Sequence, residues 1–127
     1  MGNYNKVVLV GNLTKDPQLK YVLNGVAVSN YSLAVNRPYK DNDGNRGSDF
    51  IRVVCWKRLA ELSEKYLKKG DSVLVEGALQ SRTYEKEGQT HFATEVLAQK
   101  IEFLNTKRNK LDTVVLDETE NKEEIPF

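Results

Sequence analysis

The sequence predicts an all-β fold: a small barrel of five main strands, one helix between the third and fourth, and a disordered acidic tail. Three observations predict it. Apolar runs of strand length recur along the chain, bounded by Gly, Pro and Asn. A single segment, 57–69, has its apolar residues at helical spacing. Past Thr106 the chain turns basic and then strongly acidic, with no apolar periodicity.

The elements follow in order. Val7 to Val10 form the first strand, and Gly11 marks a bulge or sharp bend of the kind small barrels need at their corners. After a turn around Asp16-Pro17, Leu19 to Leu23 form a short strand ended by Asn24-Gly25, a strong hairpin signal. Val26 to Asn36 is a long strand with Tyr31, Leu33 and Val35 on one face. Arg37 to Ser48 is a polar loop, long enough to be functional. Phe50 to Trp56 is the third main strand. The helix over 57–69 places Leu59, Leu62, Tyr66 and Leu67 on one face, with Lys68, Lys69 and a left-handed Gly70 as its C-terminal signals. Val73, Val75, Gly77 and Leu79 alternate as the fourth strand. Arg82 to Gln89 is a charged hairpin, and His91 to Leu104 the fifth strand. This order is that of an OB-fold, a Greek-key barrel that binds oligonucleotides. The expected division is a binding domain over residues 1–106 and a linker and tail over 107–127.

At 127 residues the chain suits one domain with one modest core. Its net charge of +1 conceals an asymmetry. Residues 1–111 hold 18 Lys/Arg against 12 Asp/Glu, whereas residues 112–127 hold 1 Lys against 6 Asp/Glu. A basic body with an acidic tail suits a protein that handles polyanions, and its tail competes for the same basic surface. The lone Cys55 leaves no internal disulfide, no Cys/His spacing suggests zinc, and no glycine-rich phosphate loop is present. His91 stands away from any candidate nucleophile. No catalytic site, metal or cofactor is therefore expected. Neither a signal peptide nor a run long enough to span a membrane is seen, so a cytoplasmic protein is expected.

The third main strand carries the chemistry. Phe50, Arg52, Val54 and Trp56 share one face, and Ile51, Val53 and Cys55 the other. The second set fits a core. The first sets two flat aromatic rings beside a guanidinium, which suits stacking on unpaired bases. The long loop repeats the theme with Arg37, Tyr39, Lys40 and Arg46, and the late hairpin does so with Arg82, Tyr84 and Lys86. No helix carries the basic face that would enter a major groove, so single strands fit better than duplex. Stacking and phosphate contacts do not separate DNA from RNA, and a protein adaptor built on the same barrel stays open. Tyr4, Tyr31 and Phe103 are expected to pack; Tyr21 can pack or bind. At the end of the chain, Glu123, Glu124, Ile125, Pro126 and Phe127 form an acidic tip closed by two hydrophobes, suited to a partner with an apolar pocket and basic rim.

On these residues the chain resembles the bacterial-type single-stranded DNA-binding proteins. The resemblance rests on NKVVLVGNLTKDPQLKY from Asn5, SDFIRVVCWKRLAELSEKYLKKGDSVLVEG from Ser48, and EEIPF at the end. It implies a nucleoid-associated homotetramer around which single-stranded DNA wraps. Stacking aromatics then fall on Tyr39, Phe50, Trp56 and Tyr84. Matching basic positions are Lys6, Lys20, Lys40, Arg52, Lys69 and Arg82, joined by Arg37 and Lys86 from the loop clusters. The tip becomes a docking peptide for replication, recombination and repair proteins. Tyr39, Phe50 and Tyr84 stand where family members often have tryptophan, and the tip carries glutamates where aspartates are usual. The short linker fits a phage, plasmid or accessory form.

Overall fold

The computed structural model describes residues 2–104 and the backbone of residues 115–117. Five strands close a barrel: β1 (Val7–Leu13), β3 (Ala27–Asn36), β4 (Ser48–Trp56), β5 (Ser72–Lys86) and β6 (Gln89–Phe103). β2 (Gln18–Tyr21) extends the sheet beyond β3, and α1 (Lys57–Tyr66) joins β4 to β5. Going round the barrel, β1 pairs with β3, β3 with β4, β4 with β6, β6 with β5, and β5 with β1. All of these ladders are antiparallel except β4–β6, which is parallel through Val53↔Val96 and Val54↔Leu97. The all-β barrel with its helix after the third main strand is thus the architecture the sequence predicts.

Closure requires β1 to change partners. Val7 to Asn12 pair with β5, and Asn12 and Leu13 pair with β3. The switch occurs beside Gly11, where a Cβ would lie 2.6 Å from the Ala34 carbonyl oxygen and 3.1 Å from Val35 Cγ2. Only a residue without a side chain lets β3 pass so close. Gly77 plays the same part at the other seam: a bulge falls between Glu76 and Gly77, and a Cβ there would collide with the Leu97 carbonyl.

Inward-facing residues of every barrel strand form the core, with Leu33, Val53, Cys55, Val73, Val75, Val96 and Ile101 fully buried. Leu59 and Ala60 of α1 and Leu67 just beyond it join the same cluster, and Leu62 and Tyr66 pack partly against it. Tyr31 and Phe103 are in the core as expected. Burial, reinforced by Cys55, pushes the Tyr31 phenol well above its ordinary pKa. Tyr4 is not a packing residue: it is 89% exposed, lying before the start of β1. Its neighbour Asn5 takes the pairing role instead, exchanging two side-chain hydrogen bonds with the Leu79 backbone at 2.7 and 2.8 Å.

Other boundaries differ from the sequence reading. The helix stops at Tyr66 rather than at residue 69. Leu67 turns extended and enters the core, its N–H donating to the Ser63 carbonyl at 2.9 Å. Gly70 does take the left-handed conformation, at φ 92°, but in the turn that follows. There its N–H donates to the Leu13 carbonyl at 2.8 Å, tying the turn to β1. The Asn24-Gly25 hairpin is present as a single 3-10 turn, Leu23–Gly25, with both residues at φ 75°. The late charged hairpin is the outer half of a continuous ribbon: β5 and β6 are each 15 residues long and meet at Glu87-Gly88, both with positive φ. Within the segment read as linker and tail, Val115–Asp117 forms a further strand, β7, antiparallel to Lys100–Glu102 of β6.

Gly11→Ala is expected to destabilise the fold by about 1–3 kcal/mol, the usual cost of overpacking. Thermal unfolding at fixed protein concentration checks this, with Gly2→Ala, where nothing lies within 4 Å, as an unchanged control.

Candidate nucleic-acid interface

The interface begins with the alternation of β4. Ile51, Val53 and Cys55 turn into the barrel, so Phe50, Arg52, Val54 and Trp56 turn out. Phe50 is 69% exposed and Trp56 39% exposed. Their exposure follows from register, since Phe50 lies opposite Ala34 and Trp56 opposite Val28, side chains too short to cover a ring. Val54 is the exception on this face. It is buried, between Asn30 of β3 and Leu97 of β6 in the ladder, and forms the floor between the rings. Lys20 of β2 pairs with Val28 and so shares a row with Trp56.

A line of charged and aromatic contacts continues from β4 across β6 to β5. Arg52 Nε lies 3.1 Å from Glu95 Oε2, and Arg82 Nε lies 3.3 Å from Glu95 Oε1. Glu95 itself is only 7% exposed. Further out, the Arg82 guanidinium carbon is 5.4 Å from the Tyr84 ring centroid. Tyr84 in turn stacks on His91 across the ribbon, with centroids 5.3 Å apart and planes at 22°. Beside Arg52, Thr14, Lys15, Gln18, Asn30 and Ser32 line a polar cleft of about 190 Å³.

Phe50, Arg52, Trp56, Arg82 and Tyr84 are therefore brought onto one outward surface. The remaining candidates lie apart from this line of contacts. Arg37 is engaged at the base of the β3–β4 loop, donating from Nε and Nη2 to Asp49 Oδ1 at 3.1 and 2.7 Å. That pairing holds the Asp49 carboxyl below the usual carboxylate range and raises Arg37 further. Tyr39 and Lys40 are exposed on the same loop. Lys6 pairs with Glu76 at 3.6 Å on the wall formed by β1 and β5. Lys69 is exposed in the turn after α1, its backbone N–H donating to Asp16 Oδ1 at 2.7 Å, and Lys86 is exposed at the end of β5. The tip Glu123, Glu124, Ile125, Pro126 and Phe127 lies outside the described residues.

Sequence reading missed Glu95 and set His91 aside. Glu95 precedes the inward Val96, so alternation alone turns it outward. Its two arginine partners come from other strands and are visible only once the register is known. His91 similarly gains its meaning from pairing with Tyr84. Among the described residues no cluster of His, Cys, Asp and Glu could hold a metal, and no helix is long and apolar enough to cross a membrane. The chemistry on offer is recognition: ring faces for bases and cations for phosphates.

Comparison with known proteins identifies the family. The model of the single-strand binding protein family matches residues 4–104. A single-stranded DNA-binding protein of Oceanobacillus iheyensis is 52% identical over 104 residues, which cover 81% of this chain and 65% of that protein. The match thus spans a little under two thirds of that relative's length. Single-stranded DNA-binding protein 2 of Streptococcus agalactiae is 40% identical, the alignment covering 98% of this chain and 99% of that one. Among solved structures, a Plasmodium falciparum SSB complex with ssDNA is similar with a TM-score of 0.76 and 30% identity, over 83% of this chain and 98% of that one. The family is one of non-enzymatic DNA-binding proteins. With its OB-fold barrel, its outward aromatic–cation surface and a match over residues 4–104, this chain belongs to the single-strand binding protein family.

Proposed function

We propose that this protein binds and protects single-stranded DNA, with little regard to sequence, during replication, recombination and repair. The observation that carries the reading is the outward face of β4, where Phe50 and Trp56 stand exposed on either side of Arg52. Bases stack on Phe50, Trp56, Tyr84 and Tyr39, each contact contributing roughly 1–3 kcal/mol whatever the base. Arg52, Arg82, Lys20, Lys40 and Lys86 supply charge along the strand, with Lys6, Arg37 and Lys69 at its margins. Unpaired DNA laid on this surface is kept from re-pairing.

Two further parts complete the reading. Among the described residues Val7 to Gly11 of β1 pair with β5 on one side only, and Val8 and Val10 present half-exposed apolar side chains outward. An open strand edge with apolar neighbours is a self-association surface, and it supports a homotetramer. Residues 1–106 are then the DNA-binding domain and 107–127 the linker and tail, whose Glu123–Phe127 tip recruits partner proteins. The setting is the bacterial cytosol, at the nucleoid.

Trp56 is the only tryptophan, so its emission reports the central stacking site. Oligo-dT is expected to quench it, salt to reverse the quench at a log–log slope of roughly −0.7 per phosphate neutralised, and duplex to leave it unchanged. Phe50→Ala should weaken binding by roughly 5- to 150-fold, the equivalent of one stacked base. Quenching of equal strength by oligo-rU would instead make the protein a general single-strand binder. Replacing both Val8 and Val10 with Glu should shift the mass found by light scattering from tetramer toward smaller species; an unchanged mass would move the interface elsewhere.

A further inference from the structure

Glu95 is a buried carboxylate set into a surface whose proposed ligand is a polyanion. β6 lies between β4 and β5, and an arginine reaches Glu95 from each neighbour: Arg52 at 3.1 Å and Arg82 at 3.3 Å. Two facts argue against a simple electrostatic or stabilising purpose. The negative charge cancels one of the two positive charges beside it and opposes the ligand. A buried ion pair also returns little net stability, because desolvation offsets the attraction. What Glu95 does supply is geometry. Both arginines approach through Nε, while their side chains remain nearly half exposed. A guanidinium carries five donors in a rigid fork, so donors remain to meet a phosphate or a base edge. Arg82, held in this way, is the residue that abuts Tyr84, and Tyr84 stacks on His91.

We propose that Glu95 is a positioning residue for DNA binding. It fixes Arg52 and Arg82 side by side, two like charges that would otherwise part. Through Arg82 it lines up the Tyr84–His91 pair, so that β4 and the ribbon present one preassembled wall. Preorganisation of this kind raises affinity by lowering the ordering cost paid on binding. The inference rests on the single-strand reading given above, and it adds His91 to the surface that the strand meets.

Glu95→Asp tests geometry alone, because it keeps the charge and shortens the side chain by one methylene. The titration is the Trp56 quench by oligo-dT, repeated across salt concentrations. The expected result is binding about tenfold weaker, on the scale of one stacking contact, with the salt slope of the unaltered protein. Affinity equal to that of the unaltered protein overturns the inference. Glu95→Gln, which keeps the size and removes the charge, is expected to steepen the salt slope and to bind more weakly at high salt. Tighter binding at every salt concentration means that Glu95 only subtracts charge, and also overturns the inference. Circular dichroism shows whether each variant is folded; where Glu95→Asp is not, Glu95→Gln decides. Failure of the unaltered protein to respond to oligo-dT at any salt concentration is a different result, and overturns the single-strand reading itself.

Discussion

The parallel contact between β4 and β6 is only two residue pairs long, yet both the core and the proposed binding surface depend on it. Its inward members, Val53 and Val96, are fully buried and lock the third barrel strand to the last. Its outward members, Val54 and Leu97, form the floor from which the exposed rings rise. One residue before Val96, the chain sets Glu95 between Arg52 and Arg82. A slip of one residue would turn every side chain of β4 to the opposite face, exposing Cys55 and burying Arg52. The apolar core therefore enforces the register that the surface requires.

The strand period explains how so small a domain can do both tasks. Within nine residues, β4 supplies three side chains to the core and three to the surface, with Val54 between them. The exposed part of an aromatic ring brings little folding stability of its own. The closed barrel supplies that stability elsewhere, through the tight passages at Gly11 and Gly77 and through α1 with Leu67 against the core. Because Phe50, Trp56 and Tyr84 stand on paired strands, unlike Tyr39 on its loop, they are held in place before any ligand arrives. The β5–β6 ribbon extends the same device past the barrel, carrying Tyr84 and His91 outward on a continuous ladder.

Much of this was legible in the sequence, for local reasons. Alternation separated Phe50, Arg52 and Trp56 from Val53 and Cys55, and the structure keeps that division. Gly11 announced the sharp corner, and Asn24-Gly25 the hairpin. What was not legible depends on residues distant in sequence. Helical spacing runs on to Leu67, but burial of Leu67 in the barrel ends the helix at Tyr66. Tyr4 looked like a packing residue, but it lies before β1 and is exposed. The charged hairpin from Arg82 to Gln89 is present, but only cross-strand pairing shows that it continues both barrel strands unbroken. Glu95 and His91 carry no local motif at all. Each acquires a role only from the strand beside it, as does β7, whose pairing with β6 no periodicity announces.

The most direct test of the account is where a single strand lies on the protein. Photocross-linking to a thymidine-rich oligonucleotide, followed by mass spectrometric location of the adducts, reads this residue by residue. The account predicts adducts at Phe50, Trp56 and the Tyr84–His91 ribbon, and none on α1 at Tyr66 or on the exposed Tyr4. Adducts confined to α1 or to the outward face of β1, with Phe50 and Trp56 unmodified, would contradict it.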